Sequence, residues 1–213
     1  MKQRIAAAEA WVKDFFVNDS TGHDWPHTDR VRKQAVHIAE KEGGDLELTE
    51  LAALIHDVAD DKFHETETEA IHYVHSGLEE FGFSNKEIRD VLNVVSTVSF
   101  KGGNNHPPQS LEGRIVQDAD RLDAIGAIGI ARCFMFAGNK GDKMYDPDIL
   151  PRDQMTKEEY RCSGNTAINH FHEKLLKLKD MMHTDTARRI AAERHRFMES
   201  YLQQFYNEWE SLK

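Results

Sequence analysis

The chain has 213 residues, 39% of them hydrophobic and 30% charged, which is enough apolar material for a full core and excludes a disordered or fibrous chain. A formal charge of -10 at pH 7, with no dense Lys/Arg block, argues against a nucleic acid polymer as partner. No apolar run approaches the roughly 20 residues of a membrane span, and the start Met1-Lys2-Gln3-Arg4-Ile5 has no signal core, so the expectation is a cytoplasmic protein with no membrane partner.

Over 5–18, Ile5, Ala8, Trp11, Val12, Phe15 and Phe16 recur on one side at helical spacing. A polar loop with Gly22 leads to a second helix over 25–42. Asp24 is its N-cap, Pro26 sits in the first turn where a missing N–H costs nothing, and Gly43-Gly44 stops it. A Leu/Ala-rich helix follows over 46–58, and another over 65–80, ending before Gly82. Ser84 with Glu87 reads as a capping box opening a helix that runs to 98. Residues 100–109, with Gly102-Gly103 and Pro107-Pro108, form a loop. Helices resume over 110–125 and 125–137. Residues 138–156, with Gly141, Pro147 and Pro151, make the longest irregular segment, a connection or a lid. Two long helices, 157–182 and 184–212, close the chain. The last carries a stripe of Ala187, Ile190, Arg194, Phe197, Tyr201, Phe205 and Trp209 that would permit a homodimer. No strand and no repeat emerges, so the fold class is all-α, one domain of about eight or nine helices over 1–213 with 157–213 packed on the core. Cys133 and Cys162 lack the spacing of a zinc knuckle or a disulfide framework.

Polar residues of metal-ligand type stand where apolar ones belong. Asp118 shares a helix face with Leu111, Ile115, Leu122 and Ile125, and a carboxylate there is costly unless paired or bound to metal. His27 shares a face with Val31, Ala35 and Ile38. His56-Asp57 follows the apolar run Leu51-Ala52-Ala53-Leu54-Ile55. Alone, His27 reads as a satisfied core histidine, Asp118 as a capping or ion-paired carboxylate, and His56-Asp57 as a dipeptide common by chance.

Together, His27, the adjacent His56-Asp57 and Asp118 resemble the HD-domain superfamily of metal-dependent phosphohydrolases, whose ligands come as a histidine, a His-Asp pair and a later aspartate on successive helices. The strings Gly22-His23-Asp24-Trp25-Pro26-His27 and Asp118-Ala119-Asp120-Arg121-Leu122-Asp123-Ala124-Ile125-Gly126-Ala127 look like a short single-domain bacterial subgroup that includes nucleotide pyrophosphohydrolases. The resemblance implies one divalent metal on His27, His56, Asp57 and Asp118. Two imidazoles and two carboxylates suit Mn²⁺ first, with Mg²⁺, Fe²⁺, Ni²⁺, Co²⁺ or Zn²⁺ as alternatives. The string His56-Asp57-Val58-Ala59-Asp60-Asp61 is similar to the HD-x-x-E-D element of ppGpp hydrolases, which implies that Asp60 and Asp61 activate or orient the attacking water. Lys62, Lys101 of the Lys101-Gly102-Gly103 loop and Arg121 are candidate phosphate-binding cations, and His23 a candidate donor to the leaving group.

The implied reaction is hydrolysis of a nucleoside or deoxynucleoside triphosphate to monophosphate and pyrophosphate, with a nucleoside monophosphate phosphatase as the nearest rival. An HD-type di-iron oxygenase would recruit two of His64, His72, His75 and His106. A regulatory nucleotide-binding module would be marked by loss of a ligand, and all four are present.

Overall fold

The computed structural model describes residues 2–17, 24–60, 63–98, 107–152 and 165–212. Among them are nine α-helices, one 3-10 helix and no strand, the all-α architecture expected. The chain divides into two compact units, Met1–Asp120 and Arg121–Lys213. No single helix among the described residues is long and apolar enough to cross a membrane.

In the first unit, α1 (Lys2–Phe15) buries Ile5, Ala8 and Val12. Helix α2 (Trp25–Glu42) starts where expected: the Asp24 carboxylate accepts from the His27 N–H at 2.9 Å, and Gly43 ends it at φ 80. Helix α3 (Leu46–Ile55) is capped by Asp45 and is apolar nearly all round, which fits its place at the centre, packed on α1, on α2 and on α5 (Asn85–Val95). Helix α4 (Glu67–Glu80) is capped by Thr66 and packs on α5, whose Ser84–Glu87 capping box is complete. Helix α6 (Leu111–Asp123) carries the division between the units near its end.

Helix α3 stops at Ile55, three residues short of the expected end. The His56 ring reaches back to the Ala53 carbonyl at 2.7 Å, and the Asp60 N–H closes a tighter turn onto the Asp57 carbonyl at 3.1 Å. The His-Asp pair therefore lies on the turn that leaves the helix.

In the second unit, α7 (Gly126–Lys140) follows α6 after a break. Ala124 and Ile125 bond to carbonyls three residues back, and Gly126 adopts φ 75. Arg132 pairs with the buried Asp123 at 2.8 Å, and Arg194 donates to the Leu122 carbonyl, so both sides of the break are tied. Helix α7 runs to Lys140, beyond the expected 137, and Gly141 caps it at φ 73.

The single helix expected over 157–182 is not formed in its described part. Helix α8 (Ala167–Glu173) ends at Lys174, and Leu175–Met181 is a 3-10 helix. The i, i+3 pair Leu175 and Leu178 is buried, a spacing the tighter helix brings onto one side. Helix α9 (Asp185–Trp209) buries Ala187, Ala191, Met198 and Leu202. Of the mostly apolar stripe read from the sequence, Ala187 is buried, and Phe197 and Trp209 are 53% and 41% exposed. Helix α9 packs on α7 and on Leu175–Met181.

Candidate metal centre

Three elements of the first unit converge on one point. His27 is in the first turn of α2, and its own backbone N–H is held by the Asp24 cap. His56 and Asp57 lie on the turn after α3. All three residues are buried, and one ligand atom from each lies within 4.8 Å of the other two. His27 Nε2 is 3.3 Å from Asp57 Oδ2, and His56 Nε2 is 3.4 Å from the same oxygen. The two imidazoles meet edge to face with centroids 5.4 Å apart.

The second carboxylate beside the imidazoles is Asp120. Its Oδ1 lies 3.5 Å from His27 Nε2 and 3.9 Å from His56 Nε2. Asp118, expected in that role, does not enter the group of three. It is fully buried two residues earlier on α6, and two residues turn a helix through about 200°. Of the two aspartates, Asp120 is the one whose carboxylate oxygen lies within 4 Å of both imidazole nitrogens. The family resemblance implies Asp118, and nothing in the apolar pattern of α6 marks Asp120. A ligand at an open edge of a site is the less buried one, and Asp120 is about one-third exposed at its side chain.

The chemistry of this donor set fits a divalent cation. A carbonyl oxygen only accepts, so His56 Nδ1 carries the proton and donates it to Ala53, and Nε2 is left to face the carboxylates. Nε2 is buried and makes no hydrogen bond among the described residues. A lone pair set against two carboxylate oxygens demands a positive charge between them, either a proton or a metal ion. Burial alone pushes the His56 pKa down, but the Asp57 and Asp120 carboxylates outweigh it and raise it to about 9. The carbonyl behind the ring fixes its tautomer and orientation, as is usual for a metal-bound histidine.

The remaining sequence candidates are distributed as follows. Asp60 is half-buried, with its N–H on the Asp57 carbonyl and its carbonyl accepting from Phe63. Arg121 donates to the Met181 carbonyl and contacts His183 Nε2 at 3.2 Å within the second unit. His23, Asp61, Lys62 and Lys101 lie outside the described residues. Of the histidines that a second metal would need, His64 bonds the Val58 carbonyl, His75 bonds Asn85 and His72 is exposed, while His106 lies outside the described residues.

The HD domain family matches residues 25–125, the stretch that holds all these ligand atoms. The chain is 43% identical to the uncharacterized protein YpgQ of Bacillus subtilis over 91% of this chain and 88% of that protein. The crystal structure of YpgQ in complex with ADP superimposes with a TM-score of 0.77 at 41% identity, covering 96% of this chain and 97% of that one. A Lactobacillus plantarum protein of known structure matches with a TM-score of 0.86 at 39% identity over 99% of both chains. An HD-superfamily hydrolase from Bacillus thuringiensis matches with a TM-score of 0.79 at 43% identity over 98% of both.

Proposed function

The chain belongs to the HD domain family of metal-dependent phosphohydrolases, and on that premise we propose that it hydrolyses nucleoside or deoxynucleoside triphosphates to a monophosphate and pyrophosphate. The observation that carries the metal part is the convergence of His27, His56, Asp57 and Asp120 around a point where the buried His56 Nε2 faces two carboxylates. The nucleotide part is supported by the ADP bound to the similar YpgQ. Such substrates belong to the cytoplasm, where we place the enzyme.

In this reading the four residues hold one divalent ion, Mn²⁺ first among the candidates. When bound, the ion supplies Lewis acidity to a phosphoryl oxygen and lowers the pKa of a water. The chain itself supplies proton acceptance and charge. Asp60, with Asp61 beside it, takes the proton of the water whose oxygen bonds to the α-phosphorus, and the α–β bridging P–O bond breaks to release pyrophosphate. Lys62 and Lys101 are the proposed cations for the phosphate chain, and His23 the proposed donor to the leaving oxygen. Arg121 serves the Met181–His183 segment in the structure and is the weakest of the four as a substrate contact.

The test is a panel of nucleoside mono-, di- and triphosphates offered to metal-stripped protein with and without Mn²⁺, with product identification. Pyrophosphate and a monophosphate formed only with metal are expected. The His56→Ala and Asp120→Ala variants should lose both metal and turnover, while Asp118→Ala should keep metal binding if it folds. Free phosphate released from monophosphates would move the enzyme to the nucleotidase class. Two irons per chain with an oxygen requirement would overturn hydrolysis.

A further inference from the structure

The segment after the His-Asp turn is fastened to α1. Phe63 sets its ring edge-on against Phe15 at 5.7 Å and Phe16 at 5.5 Å. His64, next to it, stacks on Phe15 with an interplanar angle of 24° at 6.1 Å and tilts against Tyr73 of α4 at 5.4 Å. From this aromatic seat His64 Nε2 donates to the Val58 carbonyl at 2.8 Å. That carbonyl belongs to the residue directly after Asp57, in the stretch where α3 has run out of its own donors, and Val58 is fully buried.

Each residue has only two soft backbone torsions, so fixing the Val58 carbonyl limits how the backbone leaves Asp57. The preceding side of the same turn is fixed by the His56 ring on Ala53 and the Asp60 N–H on Asp57. Without the His64 bond, the exit side of the turn loses the one side-chain anchor on its carbonyl that is seen among the described residues.

We propose that His64 is a positioning residue for the metal centre. It transmits the aromatic wall of α1 and α4 to the turn and so holds the Asp57 carboxylate in aim. This inference rests on the metal reading given above. Partners of this kind, which orient a ligand without touching the metal, are worth about 10–100-fold in metal affinity.

The experiment is calorimetric titration of Mn²⁺ into metal-stripped wild type, His64→Phe and His64→Gln, with thermal unfolding of each metal-free protein. His64→Phe keeps the stacked ring and removes the donor; His64→Gln returns a donor without the ring. The expected result is a Mn²⁺ dissociation constant raised about tenfold in His64→Phe, with a metal-free Tm close to wild type, and partial recovery in His64→Gln. If His64→Phe does not fold, His64→Gln against His64→Asn gives the same contrast, because the shorter amide does not reach Val58. Equal affinities across either contrast would overturn the inference and leave the metal centre standing. A wild type that takes up no Mn²⁺ would overturn both.

Discussion

His56 serves as a proton site or as a metal site, and the two exclude each other at Nε2. Its metal-free pKa of about 9 lies above the ordinary 6.5, so the charged ring stabilises the metal-free fold fully below pH 6.5, and that contribution is lost as pH rises through about 9. A cation entering at pH 7 must displace this proton. Calorimetry in two buffers of different ionisation enthalpy should therefore show about one proton released per cation, and apparent affinity should climb with pH until it flattens near 9. Cys133 gives a second expectation at this scale. Burial raises its thiol to about 12, and Sγ contacts the Ala167 carbonyl at 3.5 Å. It should resist alkylation in the native protein and react on unfolding, as read by peptide mass spectrometry. His27, His56 and Asp57, which the structure brings together, were legible because they interrupt apolar patterns at the positions the HD resemblance marks. Asp120, 3.5 Å from His27 Nε2, was not singled out, because it stands off the core stripe of α6 and no apolar pattern marks it.

Helix packing turns on single close approaches. An added Cβ on Gly77 of α4 would stand 2.8 Å from Cζ2 of Trp11, whose indole is already stacked on Tyr73 at 5.2 Å and edged by Phe81 at 5.9 Å. Gly77→Ala gains about 1 kcal/mol of helix propensity, but overpacking against a ring held on two sides costs about 1–3 kcal/mol. The variant should be less stable by about 1 kcal/mol in urea denaturation. In the second unit, buried Glu173 accepts from Arg152 through its backbone N–H, Nε and a terminal nitrogen at 2.8–3.0 Å, and from Asn165 at 2.6 Å. Burial works to raise its pKa, and the Arg152 bonds outweigh that and hold it below the usual range. Glu173→Gln puts an amide donor among donors and should cost about 3 kcal/mol, the lower end for a broken buried pair because Arg152 is partly exposed. Elements with local signals were legible to within a residue or two: the Asp24 cap, the Gly43 stop and the Ser84–Glu87 box all act as read. The split of 167–181 into an α and a 3-10 piece is a tertiary outcome, set by which leucines find neighbours, and no cap residue announces it.

At the scale of the whole chain, the four proposed metal ligands fall within Met1–Asp120. A cation at 100 times its dissociation constant adds about 2.7 kcal/mol to the state that binds it. Hydrogen exchange should show that protection chiefly in α2, α3 and the His56–Ala59 turn, with α7 and α9 slowed less. Uniform slowing of both units would instead show that they open together. The all-α class was legible because helical periodicity persists through the whole sequence, whereas the division near residue 120 was not, since it falls inside a continuous helix. The Glu173 carboxylate has one further consequence. It grips Arg152 and Asn165, the residues that bracket 153–164, and so fixes where that stretch departs and returns. One carboxylate thus couples two places on either side of that stretch, and a single Glu173→Gln change should loosen both at once, read as faster amide exchange at Arg152 and Asn165 together.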